Sequence, residues 1–295
     1  MSYNVQVLLS SYNGEAYIKE QIESILNQKD IELSLLIRDD GSTDKTVNLI
    51  NEFLSENVNL VCGQNIGAAK SFFELILLAE DYDYFAFSDQ DDIWLEDKLS
   101  IAVSKLSLYE NRPAIYSSNT RLVDSELDMI ADEDRHPAIS LKSAIMRNYA
   151  TGCTVVLNRK LMQLLKLDIP NIKIYHDWWA NLVSLSVGGV SIFDDTPHIL
   201  YRQHASNVVG ATSSHIGKIF SRIKRLKRAR YYRDKIASEL LRIYGNKMAE
   251  PDLSFLNVLA DYRNNKMALY LTRDLTSNDK EIDFFFKVSI FLNLL

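Results

Sequence analysis

Between residues 5 and 87 one pattern runs three times, a short apolar run, a polar loop and a stretch with helical spacing, before a fourth apolar run closes the series. The apolar runs are 5–9, 33–37, 58–62 and 84–87. The spacing predicts helices over 15–28 (Ile18, Ile22, Ile25 and Leu26 inward), over 45–54 (Val47, Ile50 and Leu54 inward) and over 68–80. Such strand–helix alternation specifies a parallel sheet covered by helices on both faces. Loops leaving the C-terminal strand ends of such a sheet share one rim, where ligands bind. Four polar loops are expected to meet there: 10–14, 38–44, 63–67 and 88–92.

The last of these loops, Ser88-Asp89-Gln90-Asp91-Asp92, carries three carboxylates within four residues. Carboxylates that close repel one another unless a cation lies between them, and an oxygen-rich site suits Mg²⁺ or Mn²⁺. An acidic turn in water is the plainer alternative. In the 38–44 loop, Asp39 and Asp40 have the chemistry to accept from a pyrimidine N3–H or from ribose hydroxyls. The same loop reads equally as a turn whose Ser42 or Thr43 caps the next helix. No GxGxxG or GKS/GKT phosphate loop is present, so nucleotide phosphates would need a metal on Asp89 and Asp91 as counter-charge.

The second half is less regular. Helices are expected over 95–109, 141–147, 161–167 and 174–185, and strands over 114–117, 121–124, 154–157, 190–193 and 198–201. The charged stretch 132–137 reads as a loop, and 202–210 as a polar segment of small residues able to move. At 295 residues the chain holds one large domain, or one domain of about 200 residues with an appendage. Cys62 and Cys153 make no disulfide framework; both read as small core residues in a reducing compartment. The N-terminus shows no secretory pattern, and no apolar run reaches the roughly 18 residues that span a bilayer, so a cytoplasmic location is expected. The 283–295 tail is apolar enough to need a cover. Residues 216–247 hold 11 Lys/Arg against 2 Asp/Glu, a balance of +9 that leaves −15 on the rest of a chain of net charge −6. Within that segment, Ile216, Ile219, Phe220, Ile223 and Leu226 keep helical spacing among basic residues, which describes a basic amphipathic helix.

Four stretches in order resemble the motifs of glycosyltransferase family 2: Leu9-Ser10-Ser11-Tyr12-Asn13-Gly14, Arg38-Asp39-Asp40-Gly41-Ser42-Thr43-Asp44, Asn65-Ile66-Gly67 and Ser88-Asp89-Gln90-Asp91-Asp92-Ile93-Trp94. The likeness spans roughly residues 3–210; with His176-Asp177-Trp178-Trp179 and Tyr201-Arg202-Gln203-His204 it is most similar to bacterial rhamnosyltransferase-like members. It implies an α/β fold of GT-A type, a Rossmann-like nucleotide-binding mixed sheet with flanking helices, over 1–213. Residues 214–295 would form a basic, helical C-terminal extension contacting membrane or a second copy.

The resemblance also implies roles. Ser10 and Asp40 would hold the base, Tyr12 would stack near it, and Glu15 would lie close to the ribose. Asp91 would ligate Mn²⁺ or Mg²⁺, Asp89 would hold ribose or metal-bound water, and His204 would reach back to the metal. Asp177 would be the catalytic base, with an N-capping Asp as the structural alternative. Asp92, Trp94, His176, Trp178 and Trp179 would face the sugar or acceptor. Transfer needs a stabilised diphosphate leaving group and one base for single displacement with inversion. The implied activity is an inverting, metal-dependent transfer of a sugar, L-rhamnose from dTDP-L-rhamnose ahead of a UDP-hexose, onto a bacterial surface or lipid-linked glycan. The basic helix would hold the enzyme peripherally on the inner face of the membrane; its alternative is packing on the domain or on a second copy. No nucleic-acid motif accompanies the charge. Two rivals are a sugar-nucleotide pyrophosphorylase, which usually has a basic phosphate loop that 10–14 lacks, and a non-catalytic membrane-associated scaffold that binds sugar nucleotides.

Overall fold

In the computed structural model, which describes residues 3–204 and 232–295, the four leading apolar runs are adjacent parallel strands. They are β1 (Asn4–Ser11), β2 (Glu32–Asp39), β3 (Val58–Cys62) and β4 (Tyr84–Ser88). A two-residue strand, β5 (Ile93–Trp94), follows, then β6 (Ala114–Ser118), β7 (Arg121–Val123), β8 (Met129–Asp132), β9 (Val156–Asn158), β10 (Val190–Asp194) and β11 (Ile199–Arg202). The main sheet has seven strands in the order β10-β6-β9-β4-β1-β2-β3, with β9 antiparallel to both neighbours. β6 therefore runs the same way as β4, and β10 pairs parallel to β6. The C-terminal ends of β1, β2, β3, β4, β6 and β10 thus lie along one rim, as the loop argument requires.

Alternation along each strand sorts the core into two layers. Val5, Val7 and Leu9 of β1, with Leu35, Ile37, Tyr84 and Ala86, pack against α1 (Ile18–Leu26), α2 (Thr46–Asn51) and α4 (Lys98–Leu106). Leu8, Leu36, Phe85 and Phe87 face α3 (Ala68–Leu78), α5 (Leu141–Met146), α6 (Arg159–Leu165) and α7 (His176–Ser186). Burial on both faces is why these strands read as unbroken apolar runs. Leu8 is fully buried, and Leu8→Ala would cost about 2–5 kcal/mol.

Among the described residues four C-terminal helices follow: α8 (Arg233–Tyr244), α9 (Asp252–Ala260), α10 (Lys266–Tyr270) and α11 (Lys280–Phe291). Leu240, Leu256, Leu269, Phe286, Ile290 and Leu295 join the α7-side apolar layer, so the tail finds its cover on the main sheet's own helices. The basic stretch 216–228 and the segment 205–210 lie outside the described residues.

Several expectations shift. The first helix starts at Ile18 rather than 15, because the Gly14 carbonyl accepts from Tyr17 N and Ile18 N in a turn led by Asn13 at φ 48°. Residues 95–97 stay outside α4, and 107–109 form a 3₁₀ turn. Asp132 ends a strand instead of opening a loop. Cys153 is in the core as expected, but Cys62 is exposed, because β3 is the edge strand of the sheet. A second sheet, β5-β11-β7-β8, was not legible: β5 has two residues and β8 is exposed throughout, so neither carries an alternation. Among the described residues no helix is long and apolar enough to cross a membrane.

Candidate active site

The loops after β1, β2 and β3 are knitted together by carboxylates that accept from backbone and hydroxyl groups. Asp39 Oδ1 accepts from Ser11 Oγ (3.1 Å) and Ser42 Oγ (2.5 Å), and its Oδ2 from Gly41 N (3.1 Å) and Ser42 N (2.8 Å). Asp40 Oδ1 accepts from Arg38 Nη1 (2.6 Å) and Ile66 N (3.0 Å), and its Oδ2 from Gly67 N (2.8 Å). One lone-pair position on Oδ2 remains for a ligand N–H. Gly67 has φ 85°, a left-handed conformation in which a side chain is strained, so the turn that presents its N–H needs glycine. Ser10 Oγ lies 2.6 Å from Ser71 Oγ. Asp44, not Ser42 or Thr43, closes the start of α2, accepting from Thr46 N at 2.9 Å. Glu15 accepts from Lys45 N at 2.9 Å, and Tyr12 is 44% exposed, its ring open for stacking. Gln90 clamps the first loop to the acidic loop, accepting from Tyr12 N (2.8 Å) and donating to Tyr12 O (3.1 Å).

The acidic loop is different. Among the described residues no hydrogen bond reaches the Asp89 carboxylate, and its pKa is pushed up to about 7, by burial first and then by the charges of Asp91 and Asp177. Burial also raises Asp91, opposed by a 2.9 Å contact between its Oδ2 and His204 Nε2. That contact joins residues 113 positions apart, and β11 makes it: Ile199 pairs with Trp94 and Leu200 with Ile93, which brings 202–204 beside the loop. Arg202 completes the bracket, donating N to Asp92 Oδ1 (3.2 Å) and Nε to Asp91 O (3.0 Å).

Asp92 is 1% exposed and lies beneath the loop, so it does not face a sugar as expected. Its Oδ2 has no hydrogen-bond partner, and burial with the Asp91 and Asp89 charges holds its carboxyl well above the usual range. Cys153 is close by: ligand atoms of Asp89, Asp92 and Cys153 lie within 4.8 Å of one another. Burial likewise pushes the Cys153 thiol up. The half-buried Asp89 carboxylate, which no hydrogen bond reaches among the described residues, and Asp91 with the His204 imidazole beside it offer oxygen and nitrogen ligands that fit Mn²⁺ or Mg²⁺.

Asp177 stands in the first turn of α7. Its Oδ1 accepts from Trp178 N (2.7 Å) and its Oδ2 from Asn148 Nδ2 (2.9 Å). Burial outweighs these bonds and pushes its pKa up to about 6, where a general base works near neutral pH. Gly152 passes close: a Cβ there would lie 3.3 Å from His176 Nε2 and 3.6 Å from Asp177 Oδ2.

His176 stacks on Phe72 with ring centroids 3.6 Å apart, both its nitrogens lack partners, and burial lowers its pKa to about 3. It is a neutral wall beside Asp177, not a solvent-facing sugar contact. The indoles are not an open sugar platform either. Trp94 is 3% exposed with Lys98 Nζ 3.3 Å from its ring centroid, and Trp179 is 1% exposed against Tyr244. Trp178 is half-buried, donating Nε1 to Ala144 O at 2.7 Å and tilted on Tyr232. Aromatic residues beside a polar motif read alike as pocket or core, and here the core takes two of the three. Three further residues had no assigned role: Asn148, which nothing in its surroundings flags, and Gln90 and Arg202, which stand inside the quoted motifs.

Residues 6–162 match the family model described as "Glycosyl transferase family 2". The chain is 34% identical over 243 residues to "dTDP-rhamnosyl transferase RfbG" of Shigella flexneri, covering 77% of this chain and 82% of that protein. It is 26% identical over 190 residues to "UDP-Glc:alpha-D-GlcNAc-diphosphoundecaprenol beta-1,3-glucosyltransferase WfgD" of Escherichia coli, covering 64% of this chain and 74% of that one. Among solved structures, S. aureus TarS 1–349 in complex with UDP-GlcNAc superposes with a TM-score of 0.58 at 16% identity, covering 100% of this chain and 82% of that chain. The mannosyltransferase PcManGT of Pyrobaculum calidifontis, in complex with GDP-Man and Mn²⁺, gives 0.56 at 18% identity, covering 91% and 72%. These two likenesses establish the GT-A-type fold.

Proposed function

The chain belongs to glycosyl transferase family 2, and on that premise we propose an inverting, divalent-metal-dependent glycosyltransferase that extends a bacterial surface polysaccharide or lipid-linked glycan. The observation that carries the reading is the pairing of two acidic centres on one rim, one half-buried and one buried. Asp89 and Asp91 hang from the end of β4, and Asp177 is near enough for its charge to raise Asp89. One centre suits a nucleoside diphosphate and the other its incoming nucleophile.

In this reading Asp40, Ser10 and Tyr12 hold the base and Glu15 lies toward the ribose. Asp91, with Asp89 and His204, holds Mn²⁺ or Mg²⁺; when bound, the ion neutralises charge growing on the diphosphate. Arg202 and Gln90 keep the acidic loop in place. Asp177 takes the acceptor hydroxyl proton as that oxygen bonds to the sugar anomeric carbon. The bond from that carbon to the diphosphate oxygen breaks on the opposite face, so configuration inverts and nucleoside diphosphate leaves. Asn148 orients the carboxylate, and the apolar wall of Phe72, Phe87 and His176 keeps it poorly solvated.

The donor proposed first is dTDP-L-rhamnose, supported by the printed activity of the Shigella flexneri relative, with a UDP-hexose second, supported by that of the Escherichia coli relative. Residues 1–213 would be the catalytic unit. The basic segment within 214–295 would hold it on the inner face of an anionic membrane, with a second copy as the other partner for that segment. A hydrolysis screen of nucleotide sugars with Mn²⁺ tests the donor: dTDP-L-rhamnose should turn over fastest, and activity on UDP-glucose alone would replace it. Co-sedimentation with anionic vesicles should be lost on removing 214–295; unchanged binding would refute the membrane role of that region.

A further inference from the structure

A cleft of about 430 Å³ opens between the 133–139 loop, α5 and the start of α11. That volume falls within the roughly 300–1,000 Å³ of small-molecule sites. The cleft stands on the catalytic rim. Its loop is tied to the ends of β6 and β10: Arg135 N donates to Asn119 Oδ1 (3.2 Å), and Asn119 Nδ2 donates to Asp195 O (3.1 Å).

It is also linked to Asp177 through the 147–151 backbone. The Arg135 guanidinium donates to Tyr149 O (3.2 Å) and Thr151 Oγ1 (3.0 Å), and is paired with Glu133 at 2.9 Å. Arg135 therefore braces the 149–151 backbone. Arg147 and Tyr149 line the cleft, and the residue between them, Asn148, holds Asp177 Oδ2.

The lining selects a ligand class. The charged lining groups are largely paired within the wall, His136 with Asp134 (2.8 Å), Arg147 with Asp279 (3.7 Å) and Arg135 with Glu133, and Lys280, the Asn278 amide and the Ser143 and Ser277 hydroxyls stand around them. A phosphate entering there meets two carboxylates. A saccharide hydroxyl both donates and accepts, so it satisfies acids, cations and amides alike. We propose that this cleft is an acceptor subsite for a neutral saccharide unit, the one next to the unit whose hydroxyl reaches Asp177. The proposal rests on the glycosyltransferase reading and adds to it where, and by which side chains, the acceptor is selected.

Saturation-transfer NMR on the full chain tests it, with methyl α-L-rhamnoside, methyl α-D-glucoside and N-acetylglucosamine as probes and inorganic phosphate as competitor. At least one saccharide should show transfer. The signal should persist in Asp91→Ala and fall fivefold or more in Arg147→Ala/Lys280→Ala, two exposed positions whose loss leaves the core untouched. No transfer to any saccharide, an unchanged signal in the double variant, or displacement of the saccharide by phosphate would overturn the proposal. Mn²⁺-dependent binding of nucleoside diphosphate separates the two readings. Its absence in the wild type sinks the transferase; its presence alongside an unmoved saccharide signal sinks only the subsite.

Discussion

Two sets of aspartates share this rim and are treated in opposite ways. Asp39 and Asp40, each 2% exposed, accept four and three hydrogen bonds from loop backbone, hydroxyls and Arg38. Asp89 accepts none among the described residues, Asp92 keeps one oxygen orphaned, and Asp177 accepts two yet has its pKa raised to about 6. Carboxylates that build the fold are satisfied by the fold. The proposed function gives Asp89 and Asp177 partners that arrive with the substrate, the metal-bound donor and the acceptor hydroxyl.

The contrast can be broken by substitution. Asp177→Asn should lower turnover about 10²–10⁴-fold with donor affinity intact, as expected for loss of a general base; retained turnover would return Asp177 to a structural role. Asp91→Ala should abolish Mn²⁺-dependent donor binding, measured by calorimetry, while leaving thermal stability near the wild-type value.

Asp39→Ala should do the reverse. Its loss strands the Ser11, Gly41 and Ser42 donors, a destabilisation of about 2–4 kcal/mol, or roughly 5–10 °C in Tm by calorimetry. Activity per folded molecule should change less than tenfold. A silent Tm with abolished activity would erase the distinction between the two sets.

The smallest effect is in pH. Asp177 must be ionised to act as base, so kcat/KM should rise about tenfold per unit below about 6 and level off above it. The stability term has the opposite sign. Because burial raises the folded pKa above the unfolded value of about 3.9, its stabilising contribution is full below that value and lost as pH rises through about 6. Wild type should therefore lose about 2–3 kcal/mol relative to Asp177→Asn between pH 4 and 7, read from paired denaturant titrations.

The same divide governs what the sequence discloses. The strands at 33–37, 58–62 and 84–87 are legible because burial on both faces leaves unbroken apolar runs, and their polar loops fall where a parallel sheet puts them. The second half adds a sheet of β5, β7, β8 and β11, two to four residues each, whose pairings include Arg121 with Asp132, 11 positions apart, and Ile199 with Trp94, 105 apart. No local period encodes the register that sets Ile199 opposite Trp94 and so delivers His204 to Asp91. Asn148 is invisible for the same reason: its importance is a single contact to a residue 29 positions away. Cys62 shows the converse limit, since an apolar run marks a strand without saying whether it is central or at the edge.

The central claim is a division of labour: the β4 carboxylates hold the donor through a metal, and Asp177 serves only the acceptor. Calorimetric titration of nucleoside diphosphate with Mn²⁺ into wild type, Asp91→Ala and Asp177→Asn tests it directly. The account predicts equal affinities for wild type and Asp177→Asn and no Mn²⁺-dependent binding for Asp91→Ala. Wild-type affinity in Asp91→Ala, or lost binding in Asp177→Asn, would contradict it.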